Sequence, residues 1–285
     1  MKRTSIELGG IRLGSSIMNA SGPRSAERGE IYELCAVHSG ALVFKSCNIA
    51  GLEAPENLKN RGVEHFAAIA CDLVRRGKTI VGSAVGATEE EIVAVARTLD
   101  RAGVQIVELN LADAYVIDSI APFASLDRLK ELLGRVRGQI GAVMAVKLPI
   151  QVERKDARTI ADLLNTAKVA IAVCNNDLPK ELPKELSVDL ASGTVAGPRR
   201  PLSQAHALYL ASDGALDIVA TGGVGSGRDA YIAHLTGAKA VQVGSALMKE
   251  GAGALGRIDR ELDELLAKNG KRSVTEIVGR MSFRV

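Results

Sequence analysis

The chain has 285 residues, and 36 basic against 33 acidic side chains leave a formal charge of +3. The charges form no run long enough for a nucleic-acid or membrane patch. No apolar run approaches the roughly 18 residues of a membrane span, and the start MKRTSIELGG lacks the apolar stretch of a signal peptide, so a cytoplasmic protein with a small-molecule partner is expected.

In chain order, residues 4–14 read as a small hairpin turning at Gly9 and Gly10, placed ahead of the first barrel strand, where it caps the barrel bottom. Apolar, β-branched runs then recur at 17–20, 41–45, 79–84, 104–111, 142–148, 168–174, 216–220 and 239–244, which predicts eight strands. With 47% hydrophobic but only 3% aromatic residues, the core is built from Val, Ile, Leu and Ala, the palette of buried parallel strands. Segments of helical spacing lie between them. Over 88–102, Thr88 and Glu91 form a capping box, Ile92, Val95, Ala96 and Leu99 an apolar face, and Gly103 a stop. Over 226–236 Ser226 is the cap, Asp229 the third helical residue, and Gly237 lies beyond the end. His38, His65, His206 and His234 all fall in such segments and read as surface or packing residues. Cys35, Cys47, Cys71 and Cys174 never take C-x-x-C or zinc-ligand spacing and read as reduced thiols, with no metal site. The stretch 175–200 is too long for an idle connector and predicts a lid or ligand-facing loop. Strict β/α alternation, eight times over, predicts a single-domain (β/α)8 TIM barrel spanning 1–285, with an open doubly wound sheet as the alternative.

Such a barrel builds its active site at the carboxyl ends of its strands. Polar residues stand there repeatedly: Asn19-Ala20-Ser21-Gly22 after strand one, Lys45-Ser46 after two, Ser83 in three, Asn110 in four, Lys147 in five and Asn175-Asn176 after six. Thr221-Gly222-Gly223 follows strand seven and Gly244-Ser245 follows strand eight, where barrels hold phosphate. Glycines let N–H groups approach the oxygens, and the helix opening near Ser226 adds its positive end. Lys45 and Lys147 then need an anionic or polarisable partner. One reading is an aldolase or isomerase barrel with a Schiff-base lysine. The other is an isoalloxazine whose anionic reduced form a lysine stabilises. Spacing does not choose between them.

Several stretches together resemble the soluble, FMN-dependent class 1 dihydroorotate dehydrogenases over nearly the full length: M-N-A-S-G at 18–22, K-S at 45–46, E-L-N-L at 108–111, V-K-L-P at 146–149, T-G-G-V-G-S-G-R-D-A at 221–230, V-Q-V-G-S-A-L-M-K-E-G at 241–251, and a tail at 271–280 like the family's closing helix. The resemblance implies an FMN with its phosphate on Gly222, Gly223, Gly244 and Ser245 and its ring against Ala20, Ser21 and Gly22. Lys147 would lie near N1 and O2, with Ser46, Ser83, Asn110, Gly197 and Thr221 completing the cofactor set. It places Lys45 near both flavin and substrate, and Asn57, Asn110, Asn175 and Asn176 around an orotate-like ring.

The implied reaction, in de novo pyrimidine biosynthesis, moves a hydride from C6 of dihydroorotate, or a related cyclic amide, to flavin N5 while a base removes the C5 proton. In this class the base is a cysteine within S-C-P-N after strand four. Here those positions read Ala112-Asp113-Ala114-Tyr115, which makes Asp113 the expected base. The family's serine after the strand-six asparagine is Asn176, and the loop after strand two is shortened to E-A-P-E-N at 53–57. These departures keep open an FMN oxidoreductase with another substrate, or a flavin-binding subunit with little activity of its own. The family resemblance also implies a homodimer, and an electron-transfer partner subunit is a further candidate.

Overall fold

The computed structural model describes residues 2–37, 40–53, 59–112, 125–150, 153–177, 187–196 and 201–283. Eight parallel strands run in the order β3 (Ile17–Asn19), β12 (Ala238–Val243), β11 (Asp217–Thr221), β8 (Ile171–Asn175), β7 (Val143–Lys147), β6 (Ile106–Asn110), β5 (Ile80–Ala84) and β4 (Leu42–Val43). This is the order of a barrel rather than of a doubly wound sheet, because each strand lies beside its neighbour in sequence and the last lies beside the first. β3 and β4 share no backbone ladder. Instead Asn19, fully buried, donates from Nδ2 to the Val43 carbonyl at 2.6 Å and accepts from the Val43 N–H at 2.9 Å. The second strand is shorter than the run at 41–45 because the Lys45 N–H turns away to the Ser25 carbonyl at 3.0 Å.

The helices cover the outside of the barrel: α1 (Arg28–Val37), α2 (Val63–Arg75), α3 (Glu89–Arg101), α4 (Leu126–Arg137), α5 (Ala157–Thr166), α6 (Gln204–Ser212), α7 (Gly227–Leu235), α8 (Ser245–Glu250) and α9 (Gly253–Lys268). In α3 the four expected apolar residues are fully buried, and Thr88 Oγ1 accepts from Glu91 N at 3.1 Å. The return bond of the box falls one residue early, from Ala87 N to Glu91 Oε2.

At the opposite end, β1 (Ile6–Leu8) and β2 (Ile11–Leu13) form the expected antiparallel hairpin. Its turn closes the barrel bottom, with Gly9 N donating to Asp217 Oδ2 at 2.8 Å. Lys2 pairs with Asp259, Arg3 pairs with Asp263, and Val274 N donates to Arg3 O, so the start of the chain is fastened to its last helix.

Two expectations change. The stretch 175–200 is not irregular throughout: β9 (Ser187–Asp189) and β10 (Thr194–Ala196) form a hairpin, and β10 pairs in parallel with β13 (Ser282–Phe283). The His206 ring stacks on Phe283 and anchors that strand to α6. The tail at 271–280 holds a single 3₁₀ turn, Val274–Glu276, because Asn269-Gly270 ends α9 and Glu276 folds back onto Arg272 N. No helix among the described residues is long and apolar enough to cross a membrane.

Candidate active site

The residues at the strand carboxyl ends converge through a few specific bonds. Ala20 N continues the ladder onto Val243 O at 2.9 Å, so the loop after β3 stays beside the end of β12. A Cβ on Gly244 would come within 3.8 Å of Ala20 Cβ. Gly22 N donates to Ser25 Oγ at 3.0 Å, and Ser25 O holds Lys45 N, which brings the loop after β3 against the end of β4. A Cβ on Gly22 would lie 3.9 Å from Lys45 Nζ. From β7, half-buried Lys147 reaches across to donate to Ser21 Oγ at 3.2 Å. Both lysines therefore flank the Ser21-Gly22 floor. A cleft of about 1000 Å³ opens beside it, lined by Ser21, Gly22, Lys45 and the side chains of Lys59, Arg61 and Met248 among others.

Below this floor Ser46, Ser83 and Asn110 are joined directly: Asn110 Nδ2 donates to Ser46 Oγ at 2.8 Å, and the two serine hydroxyls lie 2.9 Å apart. Across the mouth, Thr221 ends β11 and the exposed pair Gly222 and Gly223 follows at φ +89° and +70°. That left-handed backbone is why glycine stands at both places. Asn175 and Asn176 support the pair differently. A Cβ on Gly222 would sit 3.3 Å from Asn175 Oδ1, so Asn175 borders the open side. Buried Asn176 instead donates Nδ2 to the Gly222 carbonyl at 3.2 Å, bracing the turn from below. Gln204, which sequence reading missed, accepts from Asn175 N at 2.9 Å and donates to Pro149 O, tying the ends of β7 and β8 together.

The helix opening at Ser226 does not offer its positive end to a ligand, contrary to expectation. Asp229 Oδ2 accepts from Gly225 N, and Glu261 Oε2 accepts from Gly227 N at 2.7 Å. Glu261 thus holds the first amide of α7 and Asp229 the amide just ahead of the cap, and the nearby Arg257 holds Glu261 there. Gly244 and Ser245 lie at the start of α8, with Ser245 exposed.

Asn57, Asp113, Tyr115, Gly197 and His38 lie outside the described residues. No described cysteine at the strand ends replaces the missing thiol. Cys47 and Cys174 are buried, and burial pushes both thiols well above their ordinary value. His206 and His234 are held neutral: burial lowers each to about 4, with Arg154 nearby adding to the effect at His206.

Residues 54–266 match the family model for dihydroorotate dehydrogenase. The dihydroorotate dehydrogenase (fumarate) of Trypanosoma cruzi is 30% identical over 93% of both chains. That of Lachancea kluyveri is 27% identical, covering 93% of this chain and 94% of the relative. A ligand-free dihydroorotate dehydrogenase structure from Eimeria tenella superposes with a TM-score of 0.79 at 16% identity, covering 98% of this chain and 92% of that one, a likeness that bears on the fold. Membership of a family of oxidoreductases acting on CH–CH bonds displaces the Schiff-base aldolase or isomerase alternative. With its nearly closed barrel of eight parallel strands and polar residues gathered at one mouth, the chain belongs to the dihydroorotate dehydrogenase family.

Proposed function

We propose that this protein is an FMN-dependent oxidoreductase that converts dihydroorotate, or a closely related cyclic amide, to its unsaturated product in pyrimidine biosynthesis, as a cytoplasmic homodimer. The observation that carries the reading is the placing of Lys45 and Lys147 beside the Ser21-Gly22 floor, at the same barrel mouth as the Gly222-Gly223 turn. The donor set fits the cofactor. A floor of small residues accepts a flat ring, two ammonium groups suit an anionic edge, and a left-handed glycine pair suits a phosphate.

A bound FMN would supply the acceptor of the substrate hydride. The chain supplies the rest. Gly222, Gly223, Gly244 and Ser245 hold the phosphate, and Lys147 holds positive charge at the ring edge. Lys45, Asn57, Asn110 and Asn175 orient the substrate. Asp113 takes the C5 proton, which is acidified by the adjacent carbonyl. An aspartate of ordinary pKa about 3.9 is a weaker base than a thiolate from a group near 8.5, and raising it three units costs about 4 kcal/mol. A slower reaction than in cysteine-bearing relatives is the expected result.

A second reading, an FMN oxidoreductase acting on a different ring, is favoured by Asn176. This residue stands where the resemblance implies a serine and is turned onto Gly222 O. An anaerobic visible spectrum separates the two. Bleaching of a flavin band near 450 nm by dihydroorotate, slowed by Asp113→Asn, supports the first reading. Bleaching by dithionite alone supports the second, and a colourless protein that FMN does not reconstitute overturns both.

A further inference from the structure

Beneath the mouth, a continuous row of buried polar side chains runs into the barrel. Asn110 Nδ2 donates to Ser46 Oγ at 2.8 Å, the Ser46 and Ser83 hydroxyls are 2.9 Å apart, and Ser83 Oγ donates to Glu108 Oε1 at 3.1 Å. Gln242 Nε2 reaches the other carboxylate oxygen from β12 at 2.8 Å. Glu108 and Ser83 have no exposed surface, and Gln242, Ser46 and Asn110 are nearly as buried. Glu108 stands between Val107 and Leu109, in a strand that is otherwise apolar as far as Asn110. A carboxyl group there is unfavourable for folding unless its bonds serve something else.

The bonds impose a direction. A carboxylate only accepts and an amide nitrogen only donates. With Glu108 accepting, the Ser83 proton points inward, the Ser46 proton points to Ser83, and the Ser46 lone pairs face the mouth, where only the nitrogen end of Asn110 satisfies them. Asn110 Oδ1 is thereby turned to the Ala112 N–H at 3.3 Å, where the loop after β6 begins. Among the described residues, one N–H and one oxygen lone pair of the amide are uncommitted, the pattern complementary to the edge of a cyclic amide or imide.

We propose that Glu108 is a positioning residue: acting through Ser83 and Ser46, it fixes which way the Asn110 amide faces and so which hydrogen-bonding edge of a ring the mouth accepts. The identity of the ring rests on the function proposed above, whereas the orienting role does not. What Asn110 needs from Glu108 is an acceptor rather than a charge. Among the described residues Gln242 Oε1 is buried without a partner, so after Glu108→Gln the Gln242 amide can turn over and accept from the new side chain while Ser83 keeps its acceptor.

The test uses the purified full chain with 15N-labelled asparagine, with and without orotate. The Asn110 side-chain resonance is identified by its loss in Asn110→Asp. Glu108→Met should shift that resonance and weaken orotate binding by about tenfold, roughly the loss of one well-placed hydrogen bond. Glu108→Gln should restore both to within about threefold of the parent. In a Ser46→Ala background Glu108→Met should change neither further. If Glu108→Met does not fold, Ser83→Ala interrupts the same row and should produce the same shift. An Asn110 resonance unmoved by both Glu108→Met and Ser83→Ala overturns the inference, even if orotate binds well. A shift that obeys this scheme in a protein that binds no orotate sustains the inference and sinks the dihydroorotate reading instead.

Discussion

The side-chain amide of Asn19 occupies the place of a missing peptide: it exchanges both a donated and an accepted hydrogen bond with the backbone of Val43, across the seam where the first and second barrel strands meet. Replacement by leucine, similar in size, leaves a buried N–H and a buried carbonyl without partners. Two such losses predict a destabilisation of about 2–4 kcal/mol for Asn19→Leu, read from the midpoint of chemical denaturation. A midpoint within experimental error of the parent would mean that the seam closes without this residue.

Tyr209 of α6 passes against two backbone stretches that lack side chains. A Cβ on Gly237 would fall 2.0 Å from its ring, and one on Gly279 would fall 1.8 Å from its hydroxyl. Gly237 also sits at φ +106°. Gly237→Ala should cost at least about 3 kcal/mol by combining overpacking with backbone strain. Adding Tyr209→Ala should recover the overpacking part, so the double variant should lose less stability than the sum of the two single changes. Strict additivity would show that the ring is not what the methyl group meets.

His234 and His206 set an acid limit on stability. Burial lowers both to about 4, against an ordinary value of 6.5. Above pH 6.5 each is neutral folded or unfolded and adds no pH dependence. As pH falls from 6.5 toward 4 the unfolded chain takes up protons that the folded chain refuses, so stability is lost, by about 3 kcal/mol per histidine. Neutral His234 donates from Nδ1 to Ala238 O and accepts at Nε2 from Ser16 Oγ, and His206 Nδ1 accepts from Leu202 N. Between pH 6 and 4.5 the slope of unfolding free energy against pH should flatten by about one proton in His234→Gln. An unchanged slope would assign acid sensitivity elsewhere.

At the mouth, Gly223→Ala forces a side chain into a φ of +70° with its Cβ 3.0 Å from the Asn176 carbonyl. Folding should lose about 1–2 kcal/mol, and FMN affinity should fall by tenfold or more, because the turn must shift to relieve the contact. Lys147→Ala removes a cation and its bond to Ser21 with no comparable strain. Its stability should stay within about 1 kcal/mol of the parent while FMN binding weakens. Fluorescence titration of the stripped protein with FMN, beside a thermal melt, reads both. Equal affinity in all three proteins would remove the phosphate and ring-edge roles.

The strands were legible because a parallel strand buried on both faces is written as an unbroken apolar run, and caps such as Thr88 and Ser226 mark helix starts with their own chemistry. What stayed hidden depends on partners distant in sequence. Asn19 reads as a mouth residue when seen beside Ala20 and Ser21, and only Val43 shows it to be a seam. Glu108 reads as part of a motif until Ser83 and Gln242 are placed next to it. The first amide of α7 looks available until Glu261, from another helix, is found on it. The hairpin at 187–196 escaped notice because its strands are three residues each and one of them pairs with the far end of the chain.

The first barrel strand, Ile17–Asn19, has its only backbone ladder among the described residues with Val241–Val243. During synthesis it waits for more than two hundred further residues before that partner leaves the ribosome, on the order of ten seconds or more at ordinary translation rates. Asn19 can hold it meanwhile, through the neighbouring Val43, which emerges early. A nascent chain with Asn19 replaced would therefore expose an unpaired apolar strand for that whole interval. The yield of soluble protein should depend on this residue, and on chaperone supply, more steeply than equilibrium stability does.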